Sequence, residues 1–255
     1  MFTDTHAHLY YPEILDSLNE ILERAKDSGI ERIIVPAVDL GSSRKILELS
    51  EKYDMIYAAL GVHPCDVSKN EISTLDEIEI LLDHEKVVAV GETGLDYYWD
   101  RSNIELQKEF FTRQIKMACD HSLPVVIHTR SSTEDAVSII ETTAADNPAL
   151  KGQFHCFSGN ADELGRILKL ENFYISYCGN ITYKNFDNSE TVKNTPAERL
   201  LSETDSPFLP PVPFRGKKNE PSYMLKTLEK ISEIKSADFK KLSETISGNI
   251  SKLFF

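Results

Sequence analysis

A chain of 255 residues, 41% hydrophobic and 27% charged, is long enough for a large core, and its composition excludes disordered, fibrous and low-complexity proteins. No run approaches the roughly 18 unbroken apolar residues of a membrane helix, and no basic region followed by an apolar stretch opens the chain, so a cytoplasmic protein without a membrane partner is expected. The formal charge of −13, from 28 basic and 41 acidic residues, argues against a wide basic face that grips duplex nucleic acid; an anionic substrate would need local positive charge.

In chain order, a first strand is expected within MFTDTHAH (1–8), followed by a helix over EILDSLNEILERAKDSG (13–29). Ile14, Leu18, Ile21, Leu22 and Ala25 share one face of that helix, and Gly29 supplies its stop. Further strands are expected at RIIVPAV (32–38), MIYAALGV (55–62), KVVAVGE (86–92), LPVVIH (123–128), GQFHCF (152–157), FYISY (173–177) and RLLSETD (199–205). Ser132 and Asp135, three apart, resemble a capping box that starts the helix AVSIIETTA. Eight strands separated by helices long enough for parallel crossovers predict an α/β fold, a TIM-like (β/α)8 barrel forming one domain over residues 1–255. An open doubly wound sheet is the rival, but no glycine-rich phosphate loop follows the first strand. Cys65, Cys119, Cys156 and Cys178 lack C-x-x-C spacing and read as reduced, mostly buried thiols with no assigned chemistry.

Of the seven histidines, His84 and His121 sit at helix ends and read as structural, whereas His6, His8, His63, His128 and His155 each fall at the C-terminal end of an expected strand. That rim is where barrel active sites lie. His6 and His8, two apart, project to the same side of a strand, and Glu92 and Asp205 add carboxylates at the same level. Four imidazoles (His6, His8, His128, His155) and two carboxylates exceed one tetrahedral site but suit two divalent ions with a bridging carboxylate, drawn from zinc, magnesium, manganese, iron or nickel. Two such ions would bring +4 against the −2 of Glu92 and Asp205 and leave the centre cationic toward a phosphate. Glu203 shares a face with Asp205 and could bind metal, orient a histidine or act as a base. Asp4 could accept from an imidazole N–H or plug the barrel floor.

These residues lie in motifs that resemble the TatD-type metal-dependent deoxyribonucleases of the amidohydrolase superfamily, end to end: DTHAHL (4–9), GVHP (61–64), GETGLDYY (91–98), IHTR (127–130), HCFSG (155–159), ETDSPFLPP (203–211), RGKKNEP (215–221) and NISKLF (249–254). The resemblance implies His6, His8 and Asp205 on one metal, His128 and His155 on the other, and Glu92 between them. HTRSSTEDA keeps the family's Arg130 and Asp135 but has Ser132 where the family usually has alanine.

A two-metal centre that acidifies a bridging water makes hydrolysis the expected reaction, with hydroxide attacking a phosphodiester. His63, beyond the ligand count, is assigned to substrate, as a phosphate contact or a proton donor to the leaving group. Arg130, on the same face as His128, is assigned a phosphate contact, and FRGKKNEP concentrates Arg215, Lys217 and Lys218 after the eighth strand. Tyr97, Tyr98, Trp99 and Phe157 are candidates for stacking on the bases of a single strand. A local cationic pocket in an acidic protein suits exonuclease-like attack on single-stranded DNA by a monomer. Removal of D-amino acids from tRNA, small-molecule amide or lactone hydrolysis, and metal binding without turnover are the alternatives.

Overall fold

The structure is a computed structural model that describes residues 2–99 and 101–255. Its eight described strands are β1 (Phe2–Asp4), β2 (Ile30–Pro36), β3 (Ile56–Leu60), β4 (Val87–Asp96), β5 (Val125–Arg130), β6 (Gly152–Phe154), β7 (Phe173–Tyr177) and β8 (Leu200–Ser202). The described helices are α1 (Pro12–Leu15), α2 (Leu18–Asp27), α3 (Leu40–Lys52), α4 (Thr74–Leu81), α5 (Ile104–Asp120), α6 (Thr133–Asp146), α7 (Ala161–Ile167), α8 (Ser189–Asn194), α9 (Met224–Lys235) and α10 (Phe239–Phe254). Strands pair in parallel with their neighbours in chain order, β1 through β8.

The continuous apolar runs explain this arrangement. A parallel strand is covered on both faces, so it cannot alternate polar and apolar residues. Ile33, Ile34 and Val35 in β2 and Val125, Val126 and Ile127 in β5 are accordingly all buried. The helices supply the outer cover: α2 buries Leu18, Ile21, Leu22 and Ala25, one stripe of a 3.6-residue repeat, and α10 buries Leu242, Ile246, Ile250 and Leu253. Each such Leu or Ile side chain removed from water contributes about 1.5–3 kcal/mol before entropy is counted.

The ring closes through residues that continue β1 and β8 past their ends. Thr5 N donates to Ser202 O at 2.9 Å, Asp205 N to His6 O at 2.9 Å, and His8 N to Ser206 O at 2.7 Å. The barrel is therefore the predicted (β/α)8 fold, and its closing seam carries His6, His8 and Asp205.

Several expected elements are redrawn. Strands 1, 6 and 8 are only three residues each, so His6, His8, His155 and Asp205 lie on segments just past the strand ends. Met1, in the expected first strand, lies outside the described residues. Cys156 and Asp205 adopt φ of 44° and 58°, the left-handed region, which turns the chain out of the sheet at these two rims. The helix expected over 13–29 is two: Ser17 breaks it, with its hydroxyl turned back toward Ile14 O, before α2 runs on to Gly29, whose φ of 80° makes the stop. The expected capping box at α6 is absent. Ser132 Oγ donates instead to Leu95 O at 2.6 Å, and Asp135 accepts from Tyr97 Oη and Lys108 Nζ, both at 2.8 Å. Among the cysteines only Cys178 is buried, and the other three are half-buried. Among the described residues no helix is long and apolar enough to cross a membrane.

Candidate metal centre

β4 sets the position of the site. It runs past the end of β3 to Asp96, still paired there with Arg130 of β5, and α5 satisfies its backbone: buried Gln107 accepts from Asp96 N at 2.9 Å and donates to Asp96 O at 3.1 Å. Gln114 does the same for Val62, at 2.8 and 3.1 Å, and also donates to Thr93 Oγ1 at 2.7 Å. The β4–β5 register shifts between Val90 and Thr93, and Gly94 lies against His128 so closely that a Cβ there would come 2.1 Å from the His128 carbonyl oxygen. Only glycine, here at φ 133°, permits that approach. Glu92 and His128 are thereby carried to the same rim.

Glu92, 2% exposed, is the hub. Its Oε2 lies 3.3 Å from His6 Nε2 and 3.5 Å from His8 Nε2, and both nitrogens are within 3.8 Å of Asp205 Oδ1. Its Oε1 lies 3.1 Å from His128 Nδ1, 2.8 Å from His155 Nε2 and 3.6 Å from His63 Nε2. Two groups of donors thus meet on opposite oxygens of one carboxylate. The sequence-predicted ligands His6, His8, Glu92, His128, His155 and Asp205 are all brought together, with His63 beside the second group.

This donor set fits divalent metal. Separations of 2.8–3.8 Å are those between ligand atoms around a cation with bonds of about 2.0–2.2 Å. His6 Nε2 faces His8 Nε2 at 3.3 Å, and His128 Nδ1 faces His155 Nε2 at 3.3 Å, so lone pairs oppose unless a proton or a cation lies between them. Burial pushes His6 below its ordinary value, His8 to about 3 and His63 to about 4, the neutral state that ligation requires. Burial also pushes Asp205 well up, with Glu92 and Glu203 adding to it. Burial would raise Glu92 as well, but His155, His6 and His63 around it hold it well below the usual carboxylate range. His128 is the exception among the imidazoles. Burial lowers it, yet its hydrogen bonds to Asp96 and Glu92 outweigh burial and carry it up to about 9.

The residues behind the donors hold them in place. Asp96 Oδ2 lies 3.1 Å from His128 Nε2, while its Oδ1 accepts from Tyr98 N and Trp99 N at 2.8 and 2.9 Å. Glu203 lies fully buried below the rim, on the far side of His155: Oε1 accepts from Cys156 N at 2.6 Å and Cys178 Sγ at 3.0 Å, and Oε2 is 3.8 Å from His155 Nδ1. Gln153 Nε2 ties this carboxylate to Thr5 Oγ1 and Ser176 Oγ. Asp4 contacts no imidazole side chain; it accepts from Thr204 Oγ1 at 2.6 Å and from the backbone N–H groups of Thr204 and His6, clamping the closing seam. Asn219 donates to Thr204 O and Phe208 O, and Glu220 takes a two-pronged ion pair from Arg24, so RGKKNEP anchors the loop after β8 as well as charging it.

An open cavity of about 640 Å³ lies over the centre. His63 and Arg130 line it, Arg215 lines a neighbouring cavity, and Lys217 is exposed and lines neither. Arg130 does not stand free: its guanidinium stacks 3.9 Å over Tyr98 and 5.2 Å from Trp99. Tyr98 and Trp99 are 58% and 69% exposed, but Phe157 is buried and the Tyr97 hydroxyl is held by Asp135, which removes these two from the stacking set. His84 pairs with Glu51, and His121 with Glu79 and Asp83, both away from the centre.

Asp96, Gln153 and Asn219 were missed as site residues in the sequence. Asp96 alone carried a signal, standing at Glu92 + 4 on the same face of the strand.

Comparisons with known proteins agree with this geometry. The family model for TatD related DNase matches residues 3–255. The chain is 45% identical over 255 residues to an uncharacterized metal-dependent hydrolase of Bacillus subtilis, YabD, covering 100% of this chain and 99% of that protein. It is 31% identical to another, YcfH of Escherichia coli, covering 98% and 94%. The crystal structure of YjjV, a TatD homolog from Escherichia coli, superposes with a TM-score of 0.92 at 31% identity, covering 99% and 97%. A hydrolase TatD family protein from Entamoeba histolytica gives 0.89 at 25%, covering 100% and 98%. The chain belongs to the TatD family of metal-dependent hydrolases.

Proposed function

We propose that this hydrolase cleaves phosphodiester bonds of single-stranded DNA, working from strand ends, with two divalent ions. His6, His8 and Asp205 would hold one ion, His128 and His155 the other, and Glu92 would serve both. The observation that carries this reading is the division of Glu92: Oε2 toward His6 and His8, Oε1 toward His128 and His155. Bound divalent ions supply Lewis acidity, which polarises a phosphoryl group and acidifies water.

The chain's own residues divide the remaining work. Asp96 keeps the proton of His128 on Nε2, so that Nδ1 faces the centre. His63 accepts from Cys65 N on Nδ1 at 3.1 Å; in its neutral form the proton then sits on Nε2, where it can contact a phosphate oxygen or pass to the leaving oxygen. Arg130 keeps its N–H edge for phosphate while its face rests on Tyr98 and Trp99. The exposed faces of these two rings suit bases of any sequence. Glu203 acts on His155 from behind, as a positioning residue. Arg215 lends positive charge to the cavity beside the mouth in a chain whose net charge is −13, which favours strand ends and short single strands over duplex.

The test is a panel of end-labelled single-stranded DNA, duplex DNA and RNA given to metal-loaded protein and to Glu92→Gln. Single strands should shorten from one end, with the rate lost on chelation and reduced a hundredfold or so by Glu92→Gln. Inertness toward every oligonucleotide, with turnover of D-aminoacyl-tRNA or of small amides and lactones, would overturn the proposal.

A further inference from the structure

Beside the mouth lies a second cavity of about 480 Å³, and Asn180 lines both. Its other walls are Tyr183, Phe186, Asn185, Lys184 and Arg215, with Asp187 as the one carboxylate against the two cations. The volume lies in the range of small-ligand sites. Aromatic faces beside two cations are the chemistry that takes a base and its phosphate together.

The walls are held by two loops laced together. The Tyr183 hydroxyl donates to Pro210 O at 3.0 Å, and Val212 N donates to Thr182 Oγ1 at 2.8 Å. The close approach at Gly179, where a Cβ would meet Leu209 O at 2.3 Å, presses the turn after β7 against the loop after β8. Arg215 lies 4.2 Å over the Tyr183 ring, so one cation is stored on an aromatic face whose position Pro210 fixes.

Resting on the phosphodiester reading above, we infer that this cavity is a second nucleotide subsite. A single strand whose cleaved phosphate sits over Glu92 would reach past Asn180 and place a neighbouring nucleotide here, its base against Tyr183 and its phosphate near Arg215 and Lys184. Trp99 and Arg130 line the mouth as a separate element, with Tyr98 stacked on Arg130, so the strand would be gripped at two points. Substrates long enough to reach the subsite gain affinity that a dinucleotide cannot.

The experiment measures kcat/KM for single-stranded DNA of two to eight nucleotides with the metal-loaded wild type, Tyr183→Ala, Arg215→Ala and Tyr183→Phe. Wild type should favour the longer substrates. That advantage should fall about tenfold in Tyr183→Ala and Arg215→Ala, through KM, and should persist in Tyr183→Phe, which keeps the ring but not the bond to Pro210. If wild type cleaves these substrates and the variants show the same length profile, or lose activity equally at all lengths, the subsite is refuted and the phosphodiester reading stands. If wild type cleaves none of them, that reading fails and the subsite with it.

Discussion

Asp96 Oδ2 lies 3.1 Å from His128 Nε2, which leaves Nδ1 of that imidazole facing Glu92 at 3.1 Å. The Asp96 carboxylate is itself held down to about 2: burial would raise it, but the hydrogen bond from His128 and the backbone N–H groups of Trp99 and Tyr98 outweigh that. Asp96→Ala should therefore cost 10- to 100-fold in metal affinity, because the ring loses the partner that fixes its tautomer and orientation. A chelator-competition titration measures this, and an affinity within twofold of wild type would contradict it.

Gly94→Ala should damage the site without touching a polar group. Its Cβ would collide with His128 O, at a φ that side chains avoid, so β4 and β5 must part. A loss of roughly 2 kcal/mol or more is expected, about 4–8 °C in melting temperature, together with weaker metal binding. Unchanged melting would show that the two strands can separate at no cost.

Asp4 gives a pH signature. Burial raises its folded-state pKa from 3.8 to about 8, and the hydrogen bond from Thr204 opposes this only in part. A carboxyl raised on folding stabilises the fold fully below about pH 3.8, and that contribution is lost as pH rises through about 8. Asp4→Asn lacks the titration. In denaturant melts of metal-free protein, its stability relative to wild type should improve steadily between pH 4 and 8 and level off above. A difference that is flat with pH would count against a raised Asp4.

Metal should act as a stabiliser as well as a reagent. Removing it leaves the facing lone pairs of the His6 and His8 imidazoles, both held neutral by burial, uncompensated. At a free metal concentration a hundred times Kd, binding contributes about 2.7 kcal/mol, so chelation should lower the melting temperature by roughly 5 °C or more. An identical melt with and without chelator would argue against a built site.

Trp99, the chain's one tryptophan, reports on the mouth. Its fluorescence should be quenched by oligo(dT) in metal-depleted protein. Arg130→Ala, which removes the guanidinium stacked beside it, should weaken that binding about tenfold. A signal indifferent to oligonucleotide would place the strand elsewhere.

The sequence by itself determined the barrel and which histidines and carboxylates gather at its rim. Unbroken apolar runs such as Ile33 to Val35 demand strands covered on both faces, and the order of motifs from His6 to Asp205 put every donor at one end of them. The tertiary structure alone decided how those donors are grouped and held. The two oxygens of Glu92 face different histidines on a strand that runs on past β3, and Gln107 and Gln114 of the helix that follows hold its backbone and the Thr93 side chain. The placing of Glu203 behind His155, of Asp4 against Thr204, and of Arg130 on Tyr98 and Trp99 is likewise a matter of contacts across the chain. Periodicity reports which face of an element a side chain occupies; what that side chain meets there is fixed only when the elements pack.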